Sequence, residues 1–488
     1  GVTIATRVEL SDLDVHRSPS PSLAAFGPGI VYSRLLRFAS GPDVETPSLA
    51  LECDLCESWA WEDPTTLRVT LRPGLRWQAI APVNGRPLSP HDVTASLARQ
   101  RTAGWPHVGL LANVASAEAE GDGVVFTLRH PDADFLLALA DGHTKVLPSE
   151  LAAMDDLGAG PFIGTGPWVA EEVDPGRRFT FTPNPVYFEP GLPRLEGLEI
   201  RVMADPAIRN AAFLTKSLDV DEVAPEHVVT YRQRNPDAGF LRYAPPGGGS
   251  ELALNVNDPA LRDAGVRRAL FRALDPWSLN RQVWHGLADV TGGMPSASPE
   301  WRLTEDELRE RLADPVGARE VLEAATNAPE TLELIVADFG DPHLAYGNGI
   351  REHLAAVGVR VNLVALNPGE YVERVWRTGD FQAYLGPLPP LSAPNDFLVG
   401  MVRSDAARNR TGYAGAALDE LVDRQAAELD PAVRGDIARK ASLMLLEEGV
   451  RFTPAARAQA WAWWPRVTGL HVNFANREYH FWARVRVE

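Results

Sequence analysis

Residues 55–101, LCESWAWEDPTTLRVTLRPGLRWQAIAPVNGRPLSPHDVTASLARQR, order a strand, a turn, an aromatic-rich segment, a loop and a helix in one stretch. Leu67, Val69 and Leu71 alternate with Arg68, Thr70 and Arg72, the period of a half-buried strand. Pro73-Gly74 marks a turn, because proline presets φ and glycine tolerates φ > 0. Ser89 with Asp92 three residues on forms a capping-box pattern, and Val93 and Leu97 share one face of the helix it starts. Nothing in this unit is catalytic chemistry.

Working outward, a chain of 488 residues exceeds one hydrophobic core, and its length suggests about three domains. With 45% hydrophobic and 23% charged residues, its composition is that of a soluble globular protein. No apolar run is long enough to span a bilayer. Gly1-Val2-Thr3 opens directly on strand-like sequence with no signal peptide ahead of it, which leaves a cytoplasmic protein or a mature, trimmed one. A net charge of −18 argues against nucleic acid or anionic membrane as a partner. Lys145, Lys216 and Lys440 are the only lysines, so nearly all positive charge is arginine, read as coding bias. Cys53 and Cys56 form a lone C-x-x-C without two further zinc ligands nearby, which favours a structural pair, bonded or free, over metal or redox chemistry.

Five further regions organise the chain. Gly164-Thr165-Gly166-Pro167-Trp168 makes a tight bend that a Cβ would obstruct, and Pro167 removes an amide that a phosphate loop would need. An amphipathic helix over 207–218 is followed by Asp219 and Asp221, read as a solvated pair. Leu252-Ala253-Leu254-Asn255 is a strand, and Val266, Leu270 and Leu274 line the helix after it. From Asp314 onward helices and strands alternate, which implies a mixed α/β domain, with Gly358 as a helix C-cap. Residues 467–487 return as a strand pair. No G-x-S-x-G, Walker A, H-E-x-x-H or EF-hand pattern occurs, and the 11 histidines show no metal-ligand spacing, so no enzyme, metal or cofactor is expected. His471 and His480 read as structural.

Glu57-Ser58-Trp59, Asp63, Leu71-Arg72, Gly74, Trp77, Asp92-Val93, Ser96 and Arg99 resemble the signature region of the family 5 extracellular solute-binding proteins. The GTGPW segment, the run Pro183-Asn184-Pro185-Val186-Tyr187-Phe188 and the stretch Asn255, Asp263, Val266-Arg267, Ala273, Asp275 and Gly286 resemble it in the same order. Pro276 stands where the family usually has arginine. The resemblance implies an α/β fold, periplasmic-binding-protein-like (class II, cluster C), with two lobes joined by a hinge and an inserted third domain. On that mapping domain I is 1–39, 160–256 and 467–488, domain II is 40–159, and domain III is 257–466.

The function implied is an extracytoplasmic receptor of an ABC importer, in the periplasm or at the cell surface as a lipoprotein. It is a monomer that captures an oligosaccharide, a conjugate or a short peptide in a hinge-closed cleft and delivers it to the permease subunits. Peptide-binding relatives carry an aspartate for the ligand ammonium in a "W.gD" segment; the matching stretch is Tyr384-Leu385-Gly386-Pro387, where that acid is missing. An ammonium buried without a countercharge is costly, so a non-peptide solute is preferred, a peptide-specific receptor being the alternative. Asn395-Asp396 offers another carboxylate. The residues expected to face the solute are Phe26, Gly29, Trp105, Gly248, Ser250, Trp376, Tyr384 and Asn395.

Overall fold

The computed structural model describes residues 1–6, 12–18, 20–46, 48–223, 227–243, 249–295, 301–339, 342–388, 391, 393–473 and 478–488. It forms two compact units, Gly1–Leu241 with Ala460–Glu488, and Arg242–Gln459.

The first unit is built on a seven-stranded mixed sheet, in the order Gly239–Tyr243, Gln459–Trp463, Val220–Val223, Val2–Thr6, Leu198–Val202, Arg178–Pro183, Trp168–Asp174. Val2–Thr6 runs parallel to both its neighbours, with Ile4 facing Ile200 and Val220. These three residues and Phe179 are fully buried. A four-stranded antiparallel sheet of Cys56–Asp63, Thr66–Leu71, Gly123–Leu128 and Val114–Glu120 holds the opening stretch. Leu67 and Val69 are buried there and pair with Phe126 and Val124. The helix Pro90–Gln100 begins with the expected capping box. Its Asp92 is buried and takes hydrogen bonds from Arg86, Ser89 and Ser149. These donors hold its carboxyl below the usual range against the opposing effect of burial. Gly164 and Gly166 lie against the chain at Val31, whose carbonyl oxygen would be 2.0 and 2.6 Å from a Cβ at those positions.

The second unit has a six-stranded sheet, in the order Ala288–Asp289, Arg451–Arg457, Ser250–Leu254, Ala383–Pro387, Thr331–Ala337, Arg360–Leu366. One face carries Leu252, Leu254, Leu334, Val336, Leu385 and Phe452, packed with Leu270, Leu279 and Ile350 of the helices Ala264–Arg272, Pro276–Val283 and His343–Ala356. The opposite face carries Ala253, Ile335, Ala337 and Tyr384 beneath Tyr371, Val375 and Phe381. Gly358 takes positive φ after His343–Ala356, as its cap position requires.

Two strands lie in other units than the sequence reading placed them. Ser250–Leu254 pairs with Arg451–Arg457 and Ala383–Pro387 in the second unit, and Gln459–Trp463 pairs with Val220–Val223 in the first. The helix after Asp205 is Pro206–Leu214, ending four residues early at Thr215. Among the described residues no helix is long and apolar enough to cross a membrane.

Candidate functional site

On the second face of the second unit's sheet, strand pairing brings charged residues into an otherwise apolar row. Arg451 lies opposite Ala253, which lies opposite Tyr384, so all three share a face. Glu251 sits two residues along its strand from Ala253 and therefore points the same way, and Thr453 lies two residues beyond Arg451, where the pairing of the two strands is bulged. Glu251, Arg451 and Thr453 are each 1% exposed. The Tyr384 hydroxyl donates to Glu251 Oε2. Arg451 Nη1 stands 3.2 Å from Glu251 Oε1, and the guanidinium lies 5.5 Å over the Phe397 ring. Burial raises the Glu251 carboxyl above its usual range, with Arg451 opposing, and burial with Glu251 pushes the Tyr384 phenol well up.

Aromatic rings cover this row. Trp376 meets Tyr384 edge-on at 5.6 Å, and Phe381 does so at 4.9 Å. Tyr371 reaches the end of the strand, its hydroxyl donating to the Pro387 carbonyl at 3.4 Å. Gly386 permits this, since a Cβ there would lie 2.5 Å from that hydroxyl. Tyr371 closes Pro368–Tyr371, and the segments that follow, Val372–Thr378 and Leu398–Val402, are π-helical, a form that recurs at functional sites.

Four of the sequence-predicted residues belong to this region or its edge. Tyr384 and Trp376 are in contact, and Ser250 is buried beside Glu251, opposite Pro387. Asn395 lies in Pro394–Phe397, the short helix that carries Phe397, and its Oδ1 accepts from Gln425 at 2.7 Å. In the first unit, Phe26 is half-buried, stacks parallel to Trp461 at 6.0 Å and meets Trp482 edge-on at 6.1 Å. Gly29 is buried in Pro28–Val31, where a Cβ would be 2.4 Å from the Leu23 carbonyl oxygen. Trp105, also in the first unit, lies under the Arg99 guanidinium at 4.8 Å. Gly248 lies outside the described residues.

Glu251 and Arg451 were not anticipated. The signal available was the glutamate inside the otherwise apolar strand SELAL and the arginine that opens RFTPAAR. Asp219 and Asp221 are not solvated: both are buried. Asp219 accepts from the Thr3 amide and Arg466, and Asp221 from Tyr231. Their partners come from strands and helices remote in sequence, which a local reading cannot see. Cys53 and Cys56 form a disulfide. His480 is buried against Tyr187 and Glu189. Among the described residues no group of three His, Cys, Asp or Glu is placed to hold a metal.

Residues 50–409 match the bacterial extracellular solute-binding proteins, family 5 (middle). A probable di/tripeptide-binding protein of Pseudomonas aeruginosa is 25% identical over 500 residues, covering 94% of this chain and 91% of that protein. A second di/tripeptide-binding protein from the same organism is 26% identical, covering 86% of this chain and 82% of its own. The fold is that of HbpA2 from Haemophilus parasuis, with a TM-score of 0.85 and 21% identity over 100% of this chain and 99% of the other. The α/β periplasmic-binding-protein fold and the match across most of the sequence lead to one conclusion: the chain belongs to the family 5 extracellular solute-binding proteins, the receptors of ABC importers.

Proposed function

We propose that this receptor captures a solute of di- or tripeptide size and delivers it to its permease. The observation that carries this reading is the similarity, over most of both chains, to proteins named as di/tripeptide-binding. The sequence preference for a non-peptide solute rested on the acid missing from Tyr384-Leu385-Gly386-Pro387. On the adjacent strand Glu251, paired opposite Gly386, is engaged by Tyr384 and Arg451. A peptide would therefore enter without its ammonium neutralised there, which suits a blocked or conjugated peptide. A sugar is the second reading, favoured by the half-buried Phe26 ring beside Trp461 and Trp482.

In this reading the chain acts as a monomeric receptor and not an enzyme, outside the cytoplasm, either in the periplasm or tethered as a lipoprotein. Residues 40–159 form the inserted domain around the four-stranded sheet. Phe26, Gly29, Trp105, Gly248, Ser250, Trp376, Tyr384 and Asn395 are the residues proposed to contribute to solute recognition. Native mass spectrometry of the purified protein tests the ligand class. A co-purified mass matching a short peptide or conjugate is expected, and a retained oligosaccharide would replace the peptide reading with the second.

A further inference from the structure

The polar row in the second unit is incompletely satisfied. Among the described residues Arg451 Nη1 and Nη2, Glu251 Oε1 and Thr453 Oγ1 have no hydrogen-bond partner, although all are buried. The Arg451–Glu251 contact at 3.2 Å is an ion pair without hydrogen-bond geometry. Guanidinium N–H groups left unmet inside a protein are costly, and such groups mark a place where an occupant completes the bonding.

The chemistry of the row selects that occupant. Arg451 offers donors, Glu251 Oε1 an acceptor, and the Thr453 hydroxyl either. Arginine and glutamate together already cancel in charge. An added carboxylate or ammonium would leave a net buried charge, whereas a neutral group with an acceptor beside a donor would leave none. A peptide or carboxamide group has that form: its C=O accepts from Arg451 and its N–H donates to Glu251 Oε1. We propose that Arg451, Glu251 and Thr453 bind an uncharged amide group of the solute. This rests on the reading of the chain as a receptor for a peptide-sized solute, and it adds that an internal or blocked amide, not a charged terminus, is recognised at this place.

Isothermal titration of the full chain with trialanine, N-acetyl-trialanine amide and maltotriose tests it. The blocked peptide is expected to bind at least as tightly as trialanine. Arg451→Met and Thr453→Val are each expected to weaken it about tenfold, the loss of hydrogen bonds to a charged or hydroxyl group. Thr453→Val is nearly isosteric, and the double variant Glu251→Gln with Arg451→Met keeps the row neutral, so a folded variant is in hand should Arg451→Met alone fail to fold. Tenfold preference for trialanine, or unchanged affinity in the folded variants, overturns the assignment while leaving the receptor reading intact. Binding of maltotriose alone would end the peptide reading and with it the amide assignment. If none of the three binds, a crystal structure of the protein as purified decides: an amide-bearing solute on Arg451 supports the proposal, and an ordered water only overturns it.

Discussion

His16 is a fully buried histidine in the first unit, with Nε2 2.9 Å from the Lys145 carbonyl oxygen. A carbonyl only accepts, so Nε2 carries the proton and Nδ1, which has no partner among the described residues, is bare. Burial, aided by Arg99 and opposed by the Lys145 carbonyl and Asp14, lowers its pKa from 6.5 to about 4. The unfolded chain therefore takes up a proton that the folded chain refuses. Stability is fully present above pH 6.5 and falls as the pH drops toward 4, by about 3 kcal/mol. Urea unfolding at pH 7 and pH 4.5 should show this loss, and His16→Asn, which can still donate to the Lys145 carbonyl, should flatten most of it. Equal slopes for the two proteins would remove His16 from the account. Neither the burial of His16 nor that of Glu251 was legible in the sequence. Each depends on partners from other strands and loops, Lys145 for one and Tyr384 and Arg451 for the other, whereas the buried side chains of Leu67 and Val69 announce themselves by local period.

At the scale of elements, the disulfide closes a tight loop between Leu51–Cys53 and Cys56–Asp63. The loop carries Asp54, whose carboxylate accepts from the Arg34 amide at 2.9 Å and lies 3.5 Å from Arg37. Its backbone is bound as well, Asp54 N donating to the Leu35 carbonyl and Arg72 Nε to the Asp54 carbonyl. Closing so short a loop constrains the unfolded chain by about 2 kcal/mol. Replacing both cysteines by serine should lower the stability of the first unit by about that amount, with a further loss if Asp54 drifts from the two arginines. A melting temperature unchanged by reduction would show that the hydrogen bonds alone hold the loop. The C-x-x-C spacing was legible, and so were the capping box at Ser89 and the alternation of Leu67, Val69 and Leu71 in the strand before it. The π-helical turns over Val372–Thr378 and Leu398–Val402 were not, because the widened turn accommodates packing of Val375, Leu398 and Met401 that no local propensity encodes.

At the scale of the molecule, long-range pairing decides which unit a strand joins. Ser250–Leu254 and Gln459–Trp463 could each be recognised as strands, but their unit membership rests on neighbours distant in sequence. Recognition by family succeeded because it reads ordered motifs and needs no such pairing. The receptor reading has its own thermodynamic signature. A solute that binds the folded chain and not the unfolded one stabilises it by RT ln(1 + [L]/Kd), about 2.7 kcal/mol at one hundred times Kd. For a chain of 488 residues this is a shift of a few degrees in scanning calorimetry, growing with the logarithm of solute concentration. The solute should be recovered chemically intact after long incubation, since a receptor delivers what it binds. Stabilisation with the solute's mass unchanged is the expected result. A solute consumed by the protein would make the chain an enzyme on this fold, and the buried Glu251–Arg451–Tyr384 row would then be the first place to look for its chemistry.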